Sequence, residues 1–427
     1  MSTGKPIVAD ALARPSVAAR PELIDDAEVR LLVPADDVAD PDVSIVIPAL
    51  NEAKTVGDFV DWCKQGLAAA GVSGEVLIVD SSTDCTTDIA LSRGARVLRI
   101  PRRGLGRAYI DAIPFIRGRY VLMGDADCTY DFRELGPFVE QLRQGCEFVM
   151  GSRWKGSIES GSMPWLHQYL GTPITTWILN VVYASHFSDI HCGMRGITRA
   201  ALERMALQSQ SWEYASEMVL KSVHMRLRTA EVPVHFLKDR EGRLSHHRRA
   251  GWFSPFHAAW INLRATFVYG AEFFALKPGL LVLTLGLLLC LPLSVGPFRL
   301  GPIHFSLYWM LLGVTLTLLG LQSFYLGCLA QVLHDYTGAA RRRWLRAFMY
   351  TRTVTISGLA FVAGLGLSLV LVVDYVGSGL RLTDADRIPY HGVLGLMLVI
   401  MSSMTFTFVL LLHAVAIRSD SLYGPHR

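Results

Sequence analysis

Residues 121–132 read VLMGDADCTYDF, and this stretch decides the fold of the N-terminal half of the chain. An apolar run ends at Gly124, and two carboxylates, Asp125 and Asp127, follow with one alanine between them. A short apolar run that ends at a glycine is typical of a buried strand. Two like charges at the end of such a strand repel each other, and burying them is costly unless a positive charge lies nearby.

The surrounding sequence repeats this strand pattern. Short runs of β-branched and apolar residues occur at 43–49, 75–80, 96–100, 119–124 and 147–151. Helical patterns lie between them, for example at 53–70 and 134–144. Strands that alternate with helices indicate a mainly parallel sheet covered by helices on both faces. The predicted fold class of this half is therefore α/β with a Rossmann-like sheet.

Polar residues collect where the predicted strands end. They are Asn51 and Glu52 after the first run, Asp80 and Asp84 after the second, and Asp125 and Asp127 after the fourth. In parallel sheets, ligands bind beyond the carboxyl ends of the strands. A hard divalent cation takes one or two carboxylates together with phosphate oxygens of a substrate. The sequence thus predicts Mg²⁺ or Mn²⁺ at Asp125 and Asp127, and a substrate that carries phosphate.

The overall composition excludes several classes of protein. The net charge of +4 is modest and the sequence has no blocks of like charge, so nucleic-acid binding is not indicated. Seven cysteines occur without a C-x-x-C pair, which disfavours a zinc site or a disulfide framework and suits a reducing compartment. Hydrophobic residues make up 51% of the chain, and the mean hydropathy is +0.33.

The excess of apolar residues lies in the C-terminal part of the chain. From Lys277 onward, four long apolar stretches occur at about 279–297, 305–333, 353–376 and 391–416. Each is about as long as the ~20 residues that span the hydrocarbon core of a membrane. Residues 277–427 are therefore predicted to be a transmembrane domain with four helices and a short C-terminal tail.

Arginines in the loops predict the orientation in the membrane. The loop after the second apolar stretch reads GAARRRWLRAFMYTR (338–352) and carries five arginines, whereas the first loop has only Arg299. This bias predicts a multi-pass protein of the cell inner membrane whose N-terminal region, arginine-rich loop and C-terminus are cytoplasmic.

The remaining boundaries follow from composition. Residues 1–40 show no signal peptide and are predicted to be a flexible tail, which leaves 41–250 as the soluble domain. Residues 251–276 mix aromatic residues with Arg264 and Glu272. They are predicted to form amphipathic helices in the membrane interface.

Seven segments, taken in order, resemble the inverting family-2 glycosyltransferases. They are IPALNEAKTV, VDSSTDCT, GLGRAYIDAI, GDADCTYDF, GSRW, DIHCGMRG and EVPVHFLKDREGRLSHHR, which lie between residues 42 and 250. The similarity is greatest to the branch that makes polyprenyl-phosphate sugars, the dolichol-phosphate mannose or glucose synthase group. The resemblance implies a GT-A type fold and inverting transfer of a hexose from a UDP- or GDP-sugar to a polyprenyl monophosphate. Some members of that branch carry similar membrane anchors, and homo-oligomers through the transmembrane helices are a further expectation.

The resemblance also implies roles for individual residues. The donor nucleotide would be bound by Pro48, Ala49, Asn51, Glu52, Asp80, Gly106 and Asp125. The metal and the diphosphate would be held by Asp125 and Asp127. The acceptor phosphate would be bound by Arg153, Arg240, Ser245, His246 and Arg248, and the catalytic residues would be Asp127, Arg153 and Asp189.

Two positions depart from the family pattern. Some members have a glutamine metal ligand two residues after the second aspartate, where this chain has Thr129. The family pattern also ends in a lysine where this chain has His246, so either His246 or Arg248 would supply the charge at the phosphates. Whether Asp189 acts as a base or only shapes the pocket is open as well.

Alternative functions are a membrane glycosyltransferase with a hydroxyl acceptor, such as a glycolipid or a polysaccharide, and a non-catalytic scaffold that binds sugar nucleotides. A processive synthase usually has a Q-x-x-R-W motif, and here the corresponding text is ARRRW with Ala340 in place of the glutamine. Glu217 is either a sugar ligand or a surface acid of a helix. The sequence does not decide between UDP and GDP or identify the hexose.

Overall fold

The structure is a computed structural model. It describes residues 7–8, 29–163, 165, 167–240, 267, 270, 272–333, 335, 338–380 and 389–423. The chain divides into two compact units, Met1–Thr266 and Phe267–Arg427. The first unit is an α/β domain, and the second consists mainly of long apolar helices.

A nine-stranded sheet forms the centre of the first unit. Its strands are β1 (Ile7–Val8), β2 (Arg30–Val33), β3 (Val43–Ala49), β4 (Gly74–Asp80), β5 (Arg96–Arg99), β6 (Tyr120–Met123), β7 (Phe148–Ile158), β8 (Arg195–Thr198) and β9 (Thr229–Phe236). Their order across the sheet is β1-β2-β5-β4-β3-β6-β8-β7-β9. The central strands β5, β4, β3 and β6 are parallel, and antiparallel pairs flank them. The predicted sheet with a mainly parallel centre is confirmed.

The register of the parallel strands brings their polar ends together. Ala49 lies opposite Asp80 across the β3–β4 pair, and Val46 lies opposite Met123 across the β3–β6 pair. Because these strands are parallel, the loops after Ala49, Asp80 and Met123 leave the sheet at the same edge. This edge therefore carries the polar residues that follow the first, second and fourth predicted strands.

Helices cover the sheet. They are α1 (Val56–Ala69), α2 (Thr86–Ser92), α3 (Leu105–Ala112), α4 (Gly136–Arg143), α5 (Thr172–Tyr183), α6 (Arg199–Met205) and α7 (Tyr214–His224). α1 shows why such a segment is helical and where it packs. It buries Val56, Phe59, Val60, Cys63 and Leu67, whose spacing of three and four residues places them on one face of the helix.

One predicted boundary is wrong. The prediction of a flexible tail through residue 40 fails for β2, which pairs antiparallel with β5 so that Arg30 lies opposite Arg99 and Leu32 opposite Val97. The physical reason is that the short apolar run RLLV can satisfy the free backbone groups on the outer side of β5, where the parallel part of the sheet ends. The sheet thus extends beyond the predicted domain start.

A buried ion network stabilises the sheet at the opposite end of the parallel strands, where these strands begin. The carboxylate of Glu75 accepts hydrogen bonds from Ser44 Oγ at 2.5 Å, Arg96 Nη1 at 2.6 Å and Arg117 Nε at 2.8 Å. Arg117 also donates to both carboxylate oxygens of Asp37, at 2.9 and 2.6 Å. Glu75 and Arg96 are both buried. The network therefore joins β3, β4, β5 and the segment that precedes β6.

The second unit contains the predicted membrane helices. Its elements are α8 (Lys277–Leu293), β10 (Phe298–Leu300), β11 (Ile303–Phe305), α9 (Leu307–Leu333), α10 (Ala339–Ala347), α11 (Tyr350–Gly377) and α12 (Tyr390–Tyr423). Among the described residues, the stretches long and apolar enough to cross a membrane are Phe273–Leu293, Leu307–Leu333, Tyr350–Gly377 and Tyr390–Ile417. The predicted four-helix transmembrane domain is confirmed.

Glycines allow close packing between the first two membrane helices. A Cβ at Gly320 of α9 would lie 2.2 Å from the backbone nitrogen of Leu283 on α8. A Cβ at Gly286 of α8 would lie 2.4 Å from the backbone nitrogen of Thr317 on α9. A side chain at either position would force the helices apart, which is why small residues are common at such interfaces.

The Glu75 network generates a stability prediction. Glu75→Gln removes the charge that compensates buried Arg96, so it should lower the free energy of unfolding of the first unit by about 3–5 kcal/mol. Pulse proteolysis of the full chain in a urea series measures this loss. The control is Glu203→Gln, which removes the exposed partner of Arg199 and should cost less than about 1 kcal/mol. Equal losses of unfolding free energy in the two variants would show that Glu75 does not compensate the buried charge of Arg96.

Candidate active site

The loop after β3 is fixed by Asn51. This residue has a left-handed backbone with φ of +57°, which costs a non-glycine residue of order 1–3 kcal/mol and persists only where contacts enforce it. Its side-chain oxygen accepts a hydrogen bond from the backbone N–H of Thr83 at 2.9 Å, and its own N–H donates to Ser82 Oγ at 2.6 Å. Asn51 therefore joins the loops that follow β3 and β4.

Two neighbouring residues predicted to bind the donor, Ala49 and Glu52, are buried. Ala49 and Glu52 are 5% and 3% exposed. The backbone N–H of Glu52 donates to Thr86 Oγ1 at 2.9 Å, and its carboxylate accepts from Thr55 Oγ1 at 3.2 Å. Pro48, next to Ala49, is half-buried within β3. These contacts give the loop after β3 a fixed shape.

Asp80 orders the loop after β4. Its side chain is fully buried, and one oxygen accepts from the backbone N–H of Ser82 at 2.9 Å. The other oxygen accepts from Arg99 Nη1 at 2.8 Å and from the hydroxyl of Thr87. Because both oxygens already bond to protein groups, the structure gives Asp80 a loop-ordering contact, and its role at the nucleotide stays a prediction.

The loop after β6 presents the two aspartates. The backbone N–H and the hydroxyl of Thr129 donate to the same oxygen of Asp127, at 3.0 and 2.5 Å. Cys128, between these residues, has a left-handed φ of +60°. The loop thus turns sharply to aim the carboxylate of Asp127. Thr129, the departure from the family pattern, orients Asp127 by hydrogen bonding.

Asp125 adjoins a second loop, residues 189–195. A Cβ at Gly193 would lie 2.5 Å from Asp125 Oδ2 and 2.9 Å from the ring of Tyr130, so the position has room only for glycine. The N–H of Gly193 donates to the hydroxyl of Tyr130 at 2.9 Å. The predicted metal motif and the predicted acceptor motif therefore lie in contact.

Arg153 and Asp189 form a buried bidentate ion pair. Nε of Arg153 donates to Oδ2 of Asp189 at 2.7 Å, Nη2 donates to Oδ1 at 2.8 Å, and the backbone N–H of Arg153 donates to Oδ2 at 3.1 Å. Arg153 is 8% exposed and Asp189 is fully buried. Burial opposes the charge of Arg153, but Tyr130 and the hydrogen bond to Asp189 outweigh it, so the pKa of the guanidinium lies well above its ordinary value.

A chain of aromatic contacts connects this pair to the metal motif. The guanidinium of Arg153 lies 5.4 Å from the ring centre of Phe236 at the end of β9. The rings of Phe236 and Tyr130 lie 5.1 Å apart, and Tyr130 bonds to Gly193 beside Asp125. The structure therefore brings Asp125, Asp127, Arg153 and Asp189 to one region.

A buried arginine shapes the loop of residues 189–195. Arg195, 1% exposed, donates to the backbone carbonyls of Ile190 at 3.1 Å, Cys192 at 3.0 Å and Ala215 at 3.0 Å. These bonds curl the loop around one guanidinium. Burial, aided by Asp189, raises the pKa of the Cys192 thiol to about 12, so this cysteine stays a neutral packing group.

His191 is a feature that sequence reasoning missed. Its Nε2 is buried and makes no hydrogen bond to any residue that the structure describes. Burial lowers the pKa of the imidazole to about 4, although Asp189 opposes this shift. The ring is therefore neutral at pH 7 and retains an unused polar atom beside the Arg153–Asp189 pair. The only signal for His191 in the sequence is its position within the motif DIHCGMRG.

Other predicted residues lie elsewhere or outside the described residues. Arg240 pairs with Asp58 of α1, and its guanidinium lies 5.7 Å from the ring of Trp62. Its described contacts are thus to α1 and not to the Arg153–Asp189 pair. Ser245, His246 and Arg248 lie outside the described residues.

Two further residues have packing contacts. A Cβ at Gly106 would lie 2.2 Å from the carbonyl oxygen of Ser209, so close packing alone explains this glycine. Glu217 is neither a surface acid nor an exposed ligand, because it is fully buried and paired with Lys221 at 2.5 Å. It also accepts from the N–H of Ser209 at 2.8 Å, which fixes the loop that packs on Gly106.

The donor set at Asp125 and Asp127 fits a hard divalent cation with an open coordination sphere. Within the described part of the chain, no three His, Cys, Asp or Glu side chains cluster as a complete metal site. Asp127 is oriented by Thr129, and Asp125 packs against Gly193. Mg²⁺ or Mn²⁺ binds two such carboxylates when substrate oxygens and waters complete its coordination shell.

Comparisons with known proteins identify the family. The model of Glycosyl transferase family 2 matches residues 44–206, and that of the Glycosyltransferase family 2 C-terminal transmembrane region matches residues 333–416. The chain is 35% identical over 354 residues to the low-salt glycan biosynthesis hexosyltransferase Agl6 of Haloferax volcanii, which covers 82% of this chain and 84% of that protein. The chain therefore belongs to glycosyltransferase family 2, with a C-terminal transmembrane region.

Other similar proteins are more distant. The glycosyltransferase AglJ of Haloferax volcanii is 31% identical over 203 residues, which cover 47% of this chain and 64% of that protein. Glucosyl-3-phosphoglycerate synthase from Mycobacterium tuberculosis, solved with phosphoglyceric acid, matches 54% of this chain and 80% of its own. Its TM-score is 0.41 at 20% identity. The predicted family is confirmed, and the polyprenyl-phosphate branch stays a prediction.

The burial of His191 predicts a pH dependence of stability. Since its pKa is about 4 in the folded chain and about 6.5 when unfolded, the unfolded chain takes up the proton first as the pH falls. The stability that the neutral ring contributes is thus complete above pH ~6.5 and is lost toward pH ~4. His191→Asn should flatten the fall in melting temperature of the purified full chain across this window.

The matched control is His186→Asn, which changes an exposed histidine of the same segment. It should leave the pH dependence of the melting temperature as in the unaltered chain. If His191→Asn melts with the same pH dependence as the unaltered chain, then His191 is not held neutral by burial.

Proposed function

We propose that this protein transfers a hexose from a UDP- or GDP-sugar to a polyprenyl monophosphate, with inversion at the anomeric carbon. The observation that carries the proposal is the buried Arg153–Asp189 pair next to the Asp125–Asp127 loop. Membership of family 2 supports sugar transfer from an activated donor. The name of the Haloferax relative, a hexosyltransferase, supports a hexose as the transferred group.

The donor half of the site would be the edge formed by the loops after β3, β4 and β6. The loop held by Asn51 and Glu52 would receive the nucleoside, with Asp80 holding the neighbouring loop. Asp125 and Asp127 would hold Mg²⁺ or Mn²⁺, which stabilises the negative charge that develops on the leaving diphosphate. Asp127 can do so in a fixed orientation because Thr129 positions its carboxylate.

The acceptor half of the site would be organised by Arg153. The second pKa of a phosphate monoester is about 6, so at neutral pH the acceptor oxygen is already largely ionised. Such a nucleophile needs a cation to position it more than a base to deprotonate it. Nε and Nη2 of Arg153 bond to Asp189, and no described residue accepts a hydrogen bond from its Nη1. Nη1 would therefore bind the acceptor phosphate.

Asp189 would act as a positioning residue. Its two oxygens accept three hydrogen bonds from Arg153, so its charge stabilises the arginine. A general base for a hydroxyl acceptor would instead need an oxygen within reach of the hydroxyl proton. Because both of its oxygens already bond to Arg153, Asp189 is poorly placed to act as a base, which favours the phosphate acceptor over the alternative of a glycolipid or polysaccharide hydroxyl.

The acceptor also fits the membrane region. A polyprenyl phosphate presents its headgroup at the membrane surface, and the four membrane-spanning helices anchor the chain there. We place the α/β domain, residues 41–250 with the addition of β2, on the cytoplasmic face of the inner membrane, in accordance with the loop arginines. Residues 251–276 would be the interfacial segment, of which only Phe267, Gly270 and 272–276 lie among the described residues. Oligomers would form through the membrane helices, residues 277–427.

The metal motif is tested by two substitutions. Asp125→Asn and Asp127→Asn should each reduce the transfer of labelled sugar to lipid by about a hundredfold or more, because a catalytic metal contributes several kcal/mol. The assay combines membranes that contain the full chain with labelled UDP- or GDP-sugars, polyprenyl phosphate and Mn²⁺, and the lipid product is identified by mass spectrometry. Chelation of the metal should have the same effect.

The control for this assay is Asp131→Asn, which lies in the same loop but pairs with partly exposed Arg133. It should change the rate by less than about fivefold. Donor binding without any transfer by the unaltered chain would indicate the non-catalytic scaffold.

The role of Asp189 is tested by kinetics. If Asp189 positions Arg153, Asp189→Asn should raise the KM for polyprenyl phosphate by about tenfold or more, in line with a lost charge-assisted hydrogen bond, and keep the pH profile of kcat. Ser188→Ala, which changes a neighbour bonded to Glu231, is the matched control and should leave that KM within about fivefold. A fall in kcat of ~100-fold or more with loss of the acidic limb of the profile would instead identify a base and a hydroxyl acceptor.

A further inference from the structure

A short basic helix connects the second and third membrane-spanning helices. We name α10, Ala339–Ala347, the arginine helix. It follows α9, which ends at Leu333, and precedes α11, which begins at Tyr350. Since α9 and α11 are both long enough to cross a membrane, the arginine helix lies where the hydrocarbon core gives way to the headgroups.

Aromatic contacts fix one side of the arginine helix to the bundle. The ring of Trp344 lies 5.7 Å from the ring of Phe324 on α9, and its Nε1 donates to Oε1 of Gln331 at 2.8 Å. Phe348, directly after the helix, packs edge-on against Phe408 of α12 at 5.0 Å. The helix is thus held rigidly, so binding a ligand on its other side does not require it to become ordered.

The other side of the arginine helix presents cationic groups to the exterior. Arg342, Arg343 and Arg346 are exposed, as is Arg352 in the first turn of α11. The guanidinium of Arg343 lies 4.7 Å from the ring of Trp344, and its Nη2 donates to Gln331 at 2.5 Å. These contacts fix the guanidinium of the exposed Arg343 beside Trp344.

Negative charge is scarce in this connection. Between residues 335 and 352, the sequence has five arginines and a single acidic residue, Asp335. Asp335 is buried and accepts a hydrogen bond from the N–H of Arg341 at 2.7 Å, so it caps the first turn of the arginine helix. One carboxylate against five guanidiniums leaves the connection strongly positive.

The other two connections of the bundle lack this charge. Residues 294–306 contain only Arg299 as a permanent charge, and residues 378–389 contain two arginines balanced by two aspartates. Alternation of the helices places residues 294–306 and the C-terminal end of α11 on the side opposite the arginine helix. Positive charge is therefore concentrated at one membrane surface.

We propose that the arginine helix binds the phosphate groups of anionic glycerophospholipids. Guanidinium groups form bidentate hydrogen bonds to phosphate oxygens, and their weak hydration suits an interface. Each arginine or lysine near an anionic leaflet strengthens binding to it, by about fivefold per charge. The arginine helix belongs to the second unit, and the test of its lipid binding does not depend on sugar transfer.

The experiment uses the purified full chain in detergent, titrated with phosphatidylglycerol or phosphatidylcholine and monitored by native mass spectrometry. The unaltered chain should retain phosphatidylglycerol at least about tenfold better than phosphatidylcholine. The triple variant Arg342→Gln/Arg343→Gln/Arg346→Gln should lose that preference. Arg299→Gln/Arg381→Gln/Arg387→Gln removes the same charge from the other connections and should keep it.

A charge-preserving variant shows whether a lost preference for phosphatidylglycerol results from the lost charge or from misfolding. Arg342→Lys/Arg343→Lys/Arg346→Lys should keep most of the preference for phosphatidylglycerol, because the cations remain. Equal binding of the two lipids by the unaltered chain would overturn the proposal, as would equal losses in the lysine and glutamine variants or in the control triple. Retention of added polyprenyl phosphate but not of phosphatidylglycerol would also overturn it, since the helix would then serve the acceptor.

Discussion

The bidentate ion pair between Arg153 and Asp189 is the interaction on which the site depends. Both side chains are removed from water, so each would be costly to bury without the other. Two hydrogen bonds from Nε and Nη2 fix the guanidinium in one orientation, and the backbone N–H of Arg153 adds a third bond to Asp189. A fixed cation is useful where an anionic nucleophile must be aimed, because its orientation is set before the nucleophile binds.

The fold supplies this pair through residues distant in sequence. Arg153 lies in β7, and Asp189 lies in the loop that leads to β8, so the pair forms only when these antiparallel strands meet. The same loop reaches Asp125 through Gly193, whose missing side chain makes room for the carboxylate. Loop 189–195 therefore connects the Arg153–Asp189 pair to Asp125, and the buried guanidinium of Arg195 holds its shape.

Much of the architecture is predictable because its signals are local. Runs such as 43–49 and 75–80 become strands at nearly the expected bounds, and the four apolar stretches become the membrane helices. The acids that follow these strands lie at one edge of the sheet, as expected for parallel strands. Family 2 membership follows from motifs that are contiguous in the chain.

What the sequence leaves undetermined depends on burial and on long-range contacts. Glu217 looks like an ordinary helical acid, and only the packing of α7 shows its pairing with Lys221. Thr129 looks like a lost ligand until its bonds to Asp127 are seen. The strand β2 needs the free edge of β5, and the neutrality of His191 results from its burial, aided by the nearby charges of Arg153 and Arg195.

The most direct test is a structure of the full chain in a lipid nanodisc with Mn²⁺, a nucleoside diphosphate and a polyprenyl phosphate. We expect a cation about 2.1 Å from oxygens of Asp125 and Asp127 and in contact with the diphosphate. We also expect the lipid phosphate about 2.8 Å from Nη1 of Arg153, with the bonds to Asp189 intact. A lipid phosphate bound away from Arg153, or aspartates without a cation, would contradict the proposed roles of Arg153, Asp125 and Asp127.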